Sequence, residues 1–173
     1  MTWRASEIAR TPVPYVGDER TMLEGWLAYH QQTLLLKCAG LTADQLRAAT
    51  VEPSGLTLLG LVRHLAEVEA WWFRENFAGE SVDYPYFTEE DPDADLDVSD
   101  ADAEADFTTY HRELALARAA VAGRSLDETF TEVGRKGRTF NLRWVYVHMI
   151  EEYARHNGHA DLIRERLDGA TGE

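Results

Sequence analysis

The stretch TLLGLVRHLAEVEAWWFRENF, residues 57–77, decides the fold class of this chain. Its large apolar residues recur three or four positions apart and share one helical face: Leu58, Leu61, Leu65, Val68 and Trp72. A stripe of this period is typical of an amphipathic α-helix that buries one face against other helices. Turn residues precede the stretch at Pro53 and Gly55, and Gly79 follows it as a stop signal. We therefore predict a long helix over residues 57–77.

Three more segments have helical patterns with recognisable ends, such as the N-cap residues Asp18 and Asn141. The predicted helices cover residues 21–39, 57–77, 100–121 and 141–167, with a short helical piece over 43–48 and a short extended segment over 129–133. Four long helices without a strong strand pattern predict an all-α four-helix bundle. We expect a single domain over residues 1–173, in which residues 1–17 form an extended N-terminal segment.

The composition suits a globular domain of 173 residues and 19.6 kDa. Its 31 acidic residues outnumber the 17 Lys and Arg, which gives a net charge of −14. This excess disfavours binding to nucleic acid phosphates or to an anionic membrane surface. The sequence shows no signal-peptide pattern and no apolar run of membrane-spanning length, so we expect a cytoplasmic protein. Cys38, the only cysteine, excludes an intrachain disulfide and a Cys-rich zinc site.

Residues 79–106 form a long connection between the second and third long helices, with twelve acidic residues and no Lys or Arg. Alternate aspartates in this connection hint at a calcium loop: Asp91, Asp93, Asp95 and Asp97. However, Leu96 stands where an EF-hand loop needs Gly, and Asp102 where it needs Glu. We therefore interpret the segment as a solvated acidic loop, which packs through the aromatic residues of 84–87.

The last long helix carries a group of residues with metal-ligating chemistry. At 3.6 residues per turn, a sector of about 80° contains His148, Glu152, His156 and His159. Imidazole nitrogens and carboxylate oxygens are suitable zinc ligands, and an i, i+4 pair supplies part of a coordination shell. The alternative is a helix at the edge of the core, whose histidines hydrogen-bond to neighbouring acids. The spacing alone does not choose between the two.

A second helix has to complete such a site, and His64 is the natural candidate. It lies beside the apolar stripe of residues 57–77, where a lone histidine is more often a hydrogen-bonded core residue. The group on the last helix favours a ligand role instead. His30 has weaker support as a ligand that crosses from the first helix, and we expect His111 on the surface.

Three stretches resemble the DinB/YfiT-like superfamily, and most closely its actinobacterial branch of mini-circle proteins. They are VHMIEEYARHNGHADLIRER (147–166), SGLTLLGLVRHLAEVEAWWF (54–73) and GRTFNLRWVYVHMIEE (137–152). The resemblance implies a four-helix bundle with a divalent metal between its second and last helices. It assigns the ligands to His64, Glu152 and His156. Many relatives have His at the place of Glu152, whereas the similar mycothiol-dependent maleylpyruvate isomerases have Glu.

Family members similar to this chain act with low-molecular-weight thiols, as bacillithiol and mycothiol S-transferases and as mycothiol-dependent isomerases. The resemblance therefore implies a metal-dependent S-transferase, with zinc as the favoured metal and nickel, iron or manganese as alternatives. A metal with an open position lowers the pKa of a bound thiol. Two other readings stay open. One is a non-catalytic metal-binding or stress-response module, and the other is a hydrolytic or iron-dependent metalloenzyme.

Further residues receive supporting roles in this hypothesis. Glu67, one turn after His64, is either a base or ligand-orienting group, or an exposed, solvated residue. His148 and His159 either orient ligands and touch substrate or are simply hydrogen-bonded. Contacts to a carboxylate of the thiol are assigned to Arg63, Arg135, Lys136 and Arg138. The resemblance also makes a homodimer an expectation.

Overall fold

The computed structural model describes residues 2–133 and 137–172. The α-helices are α1 (Glu19–Cys38), α2 (Ala43–Leu46), α3 (Leu58–Glu69), α4 (Ala103–Val121) and α5 (Leu142–Asp168). The strands are β1 (Thr129–Thr131) and β2 (Thr139–Asn141). A π-helix over Ala70–Phe77 continues α3, and a 3-10 turn covers Ala94–Leu96. The protein is thus mostly helical, with one small sheet.

Side-chain caps fix the starts of the long helices close to their predicted positions. Asp18 accepts a hydrogen bond from the amide of Thr21 at 2.8 Å, and Asn141 accepts one from Trp144 at 2.9 Å. Such caps satisfy amide groups that the first turn of a helix leaves without a partner. The helix α4 begins three residues later than predicted, because Asp102 acts as its N-cap.

The predicted helix over residues 57–77 is present, but its last two turns are π-helical. The side chain of Asn76 donates to the carbonyl of Trp71 at 2.9 Å, and its oxygen accepts from the amide of Val133 at 2.8 Å. Asn76 is thus tied to its own helix and to the segment after β1. Periodicity cannot predict this change of winding, which leaves Trp72 and Phe77 buried.

The mostly helical chain also contains one small antiparallel sheet, in which residues 129–131 pair with residues 139–141. Only the first of them was expected as an extended segment. Phe130 lies opposite Phe140, and Phe130 also packs edge-on against Phe77, with ring centroids 5.7 Å apart. Phe130 and Phe140 are partly buried, and they pack the strand pair against the end of the π-helix. Arg135 and Lys136 lie outside the described residues.

The helices pack in pairs. Helix α1 lies along α5, α3 lies along α4, and α3 also contacts α5. Leu61 and Leu65 are fully buried and Val68 is partly buried, so the stripe read from the sequence does face the core. Each fully buried leucine contributes roughly 1.5–3 kcal/mol to folding by leaving water. In the part of the chain that the structure describes, no helix combines the length and apolar character needed to cross a bilayer.

The interpretation of the acidic connection as a solvated loop holds for the exposed residues 87–93, but Asp95 and Val98 are buried and parts of the connection dock onto α3. The carboxylate of Glu67 accepts hydrogen bonds from the amides of Tyr86 at 2.8 Å and Phe87 at 3.0 Å. Arg63 donates to the carbonyl of Asp97 at 2.7 Å, and its guanidinium lies 4.1 Å from the centre of the Tyr86 ring. These contacts supply α3 partners for the backbone of the connection, and its expected packing through aromatic residues is confirmed.

A glycine in α3 permits the close approach of the 3-10 turn. A Cβ atom on Gly60 would lie 3.2 Å from the carbonyl oxygen of Leu96, closer than ordinary van der Waals contact. Asp95 and Val98 on either side of that residue are buried. The groups of possible metal ligands among the described residues include none of the alternating aspartates of this connection. The structure therefore gives no support to a calcium loop there.

Candidate metal centre

The contact between α3 and α5 brings the three predicted ligands together. His64 on α3 and Glu152 and His156 on α5 each offer one ligand atom, and these atoms all lie within 4.8 Å of one another. The Nε2 atom of His156 is 3.4 Å from Oε2 of Glu152, and the rings of His64 and His156 are 4.9 Å apart. The three side chains could therefore surround one small ion.

The cluster lies at the edge of the core and remains accessible. The side chains of His64, Glu152 and His156 are 27%, 16% and 12% exposed, respectively. Partial burial limits competition from water, while the exposed fraction leaves a path for a small molecule. Two imidazoles and one carboxylate make a donor set that suits a divalent transition metal with at least one open position.

The acidic connection supplies a residue of this site that sequence reasoning missed. Asp95, which is buried, places Oδ2 at 2.7 Å from Nδ1 of His64. With a carboxylate as the partner, Nδ1 carries the proton and Nε2 is left for another partner. A carboxylate behind a histidine is a common arrangement in metal sites, where it fixes the tautomer and the ring orientation. The sequence contained Asp95 only as one member of the rejected calcium pattern.

The pKa values of the two histidines of the cluster, His64 and His156, shift in opposite directions. Burial, together with the nearby His64 and His159, lowers the pKa of His156 to about 4. For His64, burial opposes protonation, but the hydrogen bond and charge of Asp95 outweigh it and raise the pKa. His156 is therefore neutral at pH 7, which is the form of imidazole that binds metals.

The other two histidines of α5 flank the cluster. The Nε2 atom of His148 is 3.6 Å from Oε1 of Glu152, and Nδ1 of His159 is 3.4 Å from Nδ1 of His156. Together with Glu151, His148 and Glu152 form a second group of ligand-type atoms, which shares Glu152 with the first. This second group comes from a single helix and includes an exposed carboxylate, so the first is the better-built site.

A wall of aromatic rings continues from His148 and was not foreseen. The ring of His148 stacks on Trp144 at 4.8 Å and meets Trp72 edge-on at 5.0 Å. Trp144 also lies 4.3 Å from Phe140, and 39% of it is exposed. The signal was present in the sequence as Trp and Phe residues of separate segments, but only the tertiary fold brings them together beside Glu152.

Several other predicted residues have different surroundings. Glu67 is buried rather than solvated, and its carboxylate binds the acidic connection. Arg63 donates to the backbone carbonyls of Asp97 and Ala94 and lies against the Tyr86 ring, and its contact with a thiol carboxylate stays a prediction. Arg138 forms a salt bridge with Glu132 at 3.3 Å.

The two remaining histidines lie outside the cluster. His30 meets Asn157 of α5 through its backbone carbonyl, which accepts from the Asn157 amide at 3.0 Å. It belongs to neither group of ligand-type atoms found among the described residues. His111 is exposed on α4, as expected.

Comparison with known proteins adds a family to this geometry. A family model described as mycothiol-S-transferase matches residues 22–169, which include most of α1 and all three members of the cluster. Among curated proteins, none matches the chain significantly.

Proposed function

The chain belongs to the mycothiol S-transferase family, and we propose that it catalyses metal-dependent transfer of a mycothiol-like thiol to an electrophile. The observation that carries the metal dependence is the convergence of His64, Glu152 and His156 from two helices within 4.8 Å. Zinc suits this donor set best, although nickel, iron and manganese accept the same ligand types.

We also propose that the long helices α1, α3, α4 and α5 form the four-helix bundle of the DinB/YfiT-like type. The pairwise packing of α1 on α5 and α3 on α4, joined through α3 and α5, supports this arrangement. In such a bundle, metal sites are built from side chains on facing helices, and the candidate ligands come from two helices in contact, α3 and α5.

The residues of the site have separable tasks in this mechanism. A divalent metal held by the cluster would supply Lewis acidity, which lowers the pKa of a thiol and favours its nucleophilic thiolate form. Asp95 holds the His64 ring in one orientation through Nδ1. Glu152 contributes negative charge, and His156 contributes a neutral nitrogen. The thiol loses its proton to water, and its sulfur then forms a bond to an electrophilic carbon, whose leaving group departs with the bonding electrons.

The flanking histidines and the aromatic wall would position these ligands and the electrophile. His148 contacts Glu152 on one side and Trp144 on the other, so it connects the cluster to the wall. His159, one turn further along α5, contacts the imidazole of His156. Their roles as orienting groups remain predictions.

The test starts with protein purified without chelator, whose metal content is measured directly. We expect about one divalent ion per chain, binding of mycothiol by calorimetry, and conjugation of mycothiol to an electrophile such as a halogenated aromatic. His156→Ala should lose both the metal and the conjugation, because a ligand is removed. His111→Ala, which changes an exposed histidine on α4, is the matched control and should retain both.

The outcomes separate the competing functions. Bound metal without thiol binding or conjugation would refute the transferase and favour a binding module. Oxygen-dependent activity with bound iron, or hydrolysis of an ester or amide, would favour another metalloenzyme. A single domain over residues 1–173, a homodimer and a cytoplasmic location stay predictions.

A further inference from the structure

A cavity of about 570 Å³ lies between α1 and α4, apart from the His64 cluster. Its walls are largely apolar: Leu27, Ala28, Phe73, Ala117, Val121 and Tyr146. A volume of this size accommodates a molecule comparable to an aromatic amino acid. None of the three predicted metal ligands lines it, so its content does not follow from the proposed transferase activity.

The floor of the cavity is polar and built from buried residues. Glu69, at the end of α3, is 1% exposed, and its Oε1 accepts a hydrogen bond from Nε2 of Gln31 at 2.5 Å. Tyr153 also hydrogen-bonds to this carboxyl group, and its hydroxyl is 3.0 Å from that of Tyr110. Burying a carboxyl group is costly, and its charged form needs a partner of opposite charge or several hydrogen bonds to offset that cost.

The cations around the cavity do not neutralise Glu69 directly. Arg20 pairs with Glu24 at 2.7 Å, and Arg124 pairs with Glu128. Arg118 donates to Oε1 of Gln31 at 2.9 Å, on the opposite side of the amide from Glu69. Among the described residues, neither Glu69 nor Arg118 has a partner of opposite charge in direct contact.

The cavity is therefore lined by a buried carboxyl group, Glu69, by an exposed cation, Arg118, and by apolar side chains. We propose that it binds a small amphiphilic zwitterion. The ammonium group of this ligand pairs with Glu69, its carboxylate pairs with Arg118, and its apolar part fills the space beside Phe73. A simple amine would leave Arg118 without a counter-charge, and a simple acid would leave Glu69 without one, so the zwitterion fits both.

Three probes with the same phenylethyl skeleton test this assignment: phenylalanine, 2-phenylethylamine and 3-phenylpropionic acid. Binding is measured by calorimetry at pH 8, because burial raises the pKa of Glu69 to about 7 and most of the carboxyl is then ionised. We expect phenylalanine to bind at least tenfold more tightly than either single-charge probe. Failure of phenylalanine to bind at millimolar concentration, or equal affinity for all three probes, would overturn the proposal.

Variants of the two charged residues assign each end of the ligand. Glu69→Gln should abolish the advantage of phenylalanine over 3-phenylpropionic acid, and Arg118→Gln its advantage over 2-phenylethylamine. Glu104→Gln and Arg166→Gln, on exposed parts of α4 and α5, are the matched controls and should change neither. Phenylalanine binding that survives both cavity variants would place the ligand elsewhere and refute the site.

Two further measurements keep this test independent of folding and of the metal site. Ala28→Phe narrows the cavity from α1 without removing a polar group, and it should reduce phenylalanine affinity at least tenfold while circular dichroism stays unchanged. His156→Ala or a chelator should leave phenylalanine binding intact. Loss of binding on metal removal would instead locate the probe at the metal centre and overturn this assignment.

Discussion

Replacing Asp95 by Asn tests whether the acidic connection is part of the metal centre. Asp95 is buried, and its carboxylate contacts Nδ1 of His64 at 2.7 Å. An asparagine of the same size keeps an oxygen acceptor but removes the charge. Hydrogen bonds to charged groups contribute about 1.5–3 kcal/mol, and loss of such a partner behind a metal-binding histidine typically weakens metal affinity about 10–100-fold.

We therefore expect Asp95→Asn to weaken zinc binding about 10–100-fold, which corresponds to about 1.4–2.8 kcal/mol. The assay is competition for zinc with a chromogenic chelator of known affinity, so that the readout is a dissociation constant rather than enzyme activity. The ratio of the two constants reports the contribution of the Asp95 charge directly.

The matched control is Asp93→Asn, which removes an exposed charge two residues away in the same connection. It should leave zinc affinity within about twofold, because exposed charges in water contribute little. Circular dichroism and the unfolding midpoint establish that both variants are folded under the assay conditions. Equal zinc affinity in Asp95→Asn and the unaltered protein would refute the orienting role of Asp95.

Three further predictions concern stability and local dynamics. Leu65 is fully buried, so Leu65→Ala should lower the free energy of unfolding, measured in urea, by about 2–5 kcal/mol. Leu116→Ala is the exposed control, and an equal loss in both variants would contradict the burial of Leu65. Burial raises the pKa of Glu69 from 4.5 to about 7, so the folded state keeps a proton that the unfolded chain releases. The free energy of unfolding of the unaltered protein should therefore fall by up to about 3 kcal/mol between pH 4.5 and pH 7, relative to that of Glu69→Gln. If the two proteins show parallel pH profiles of stability, Glu69 does not hold this extra proton. Glu67→Gln should speed hydrogen exchange at the amides of residues 86–87, and unchanged exchange would show that these hydrogen bonds do not hold the connection.

The helical class and the shared face of the α5 candidate ligands could be predicted because they depend on local physics. The apolar period of residues 57–77 and the caps Asp18 and Asn141 involve neighbours within one or two turns. The same periodicity places Glu152 and His156 on one face of α5. The sequence offered His64 as the candidate from a second helix, the family resemblance supported it, and the structure places it beside them.

Local patterns could not predict features that depend on contacts between distant segments. The pairing of Asp95 with His64 spans 31 residues, and the hydrogen bond from Gln31 to Glu69 spans 38. The alternating aspartates were interpreted as solvated because composition describes average exposure, not the one carboxylate that turns inward. The π-helix and the hairpin likewise depend on Asn76 and on rings contributed by separate elements.

The sequence alone therefore determined which faces of the helices are apolar and which residues on α5 share a side. The tertiary structure decided which side chains from other elements complete those faces. Helix period and capping are set by interactions within a few residues, whereas burial of Asp95 and Glu69 depends on the packing of whole elements. Their partners across the fold offset the cost of taking each carboxylate out of water, and no local pattern carries that information.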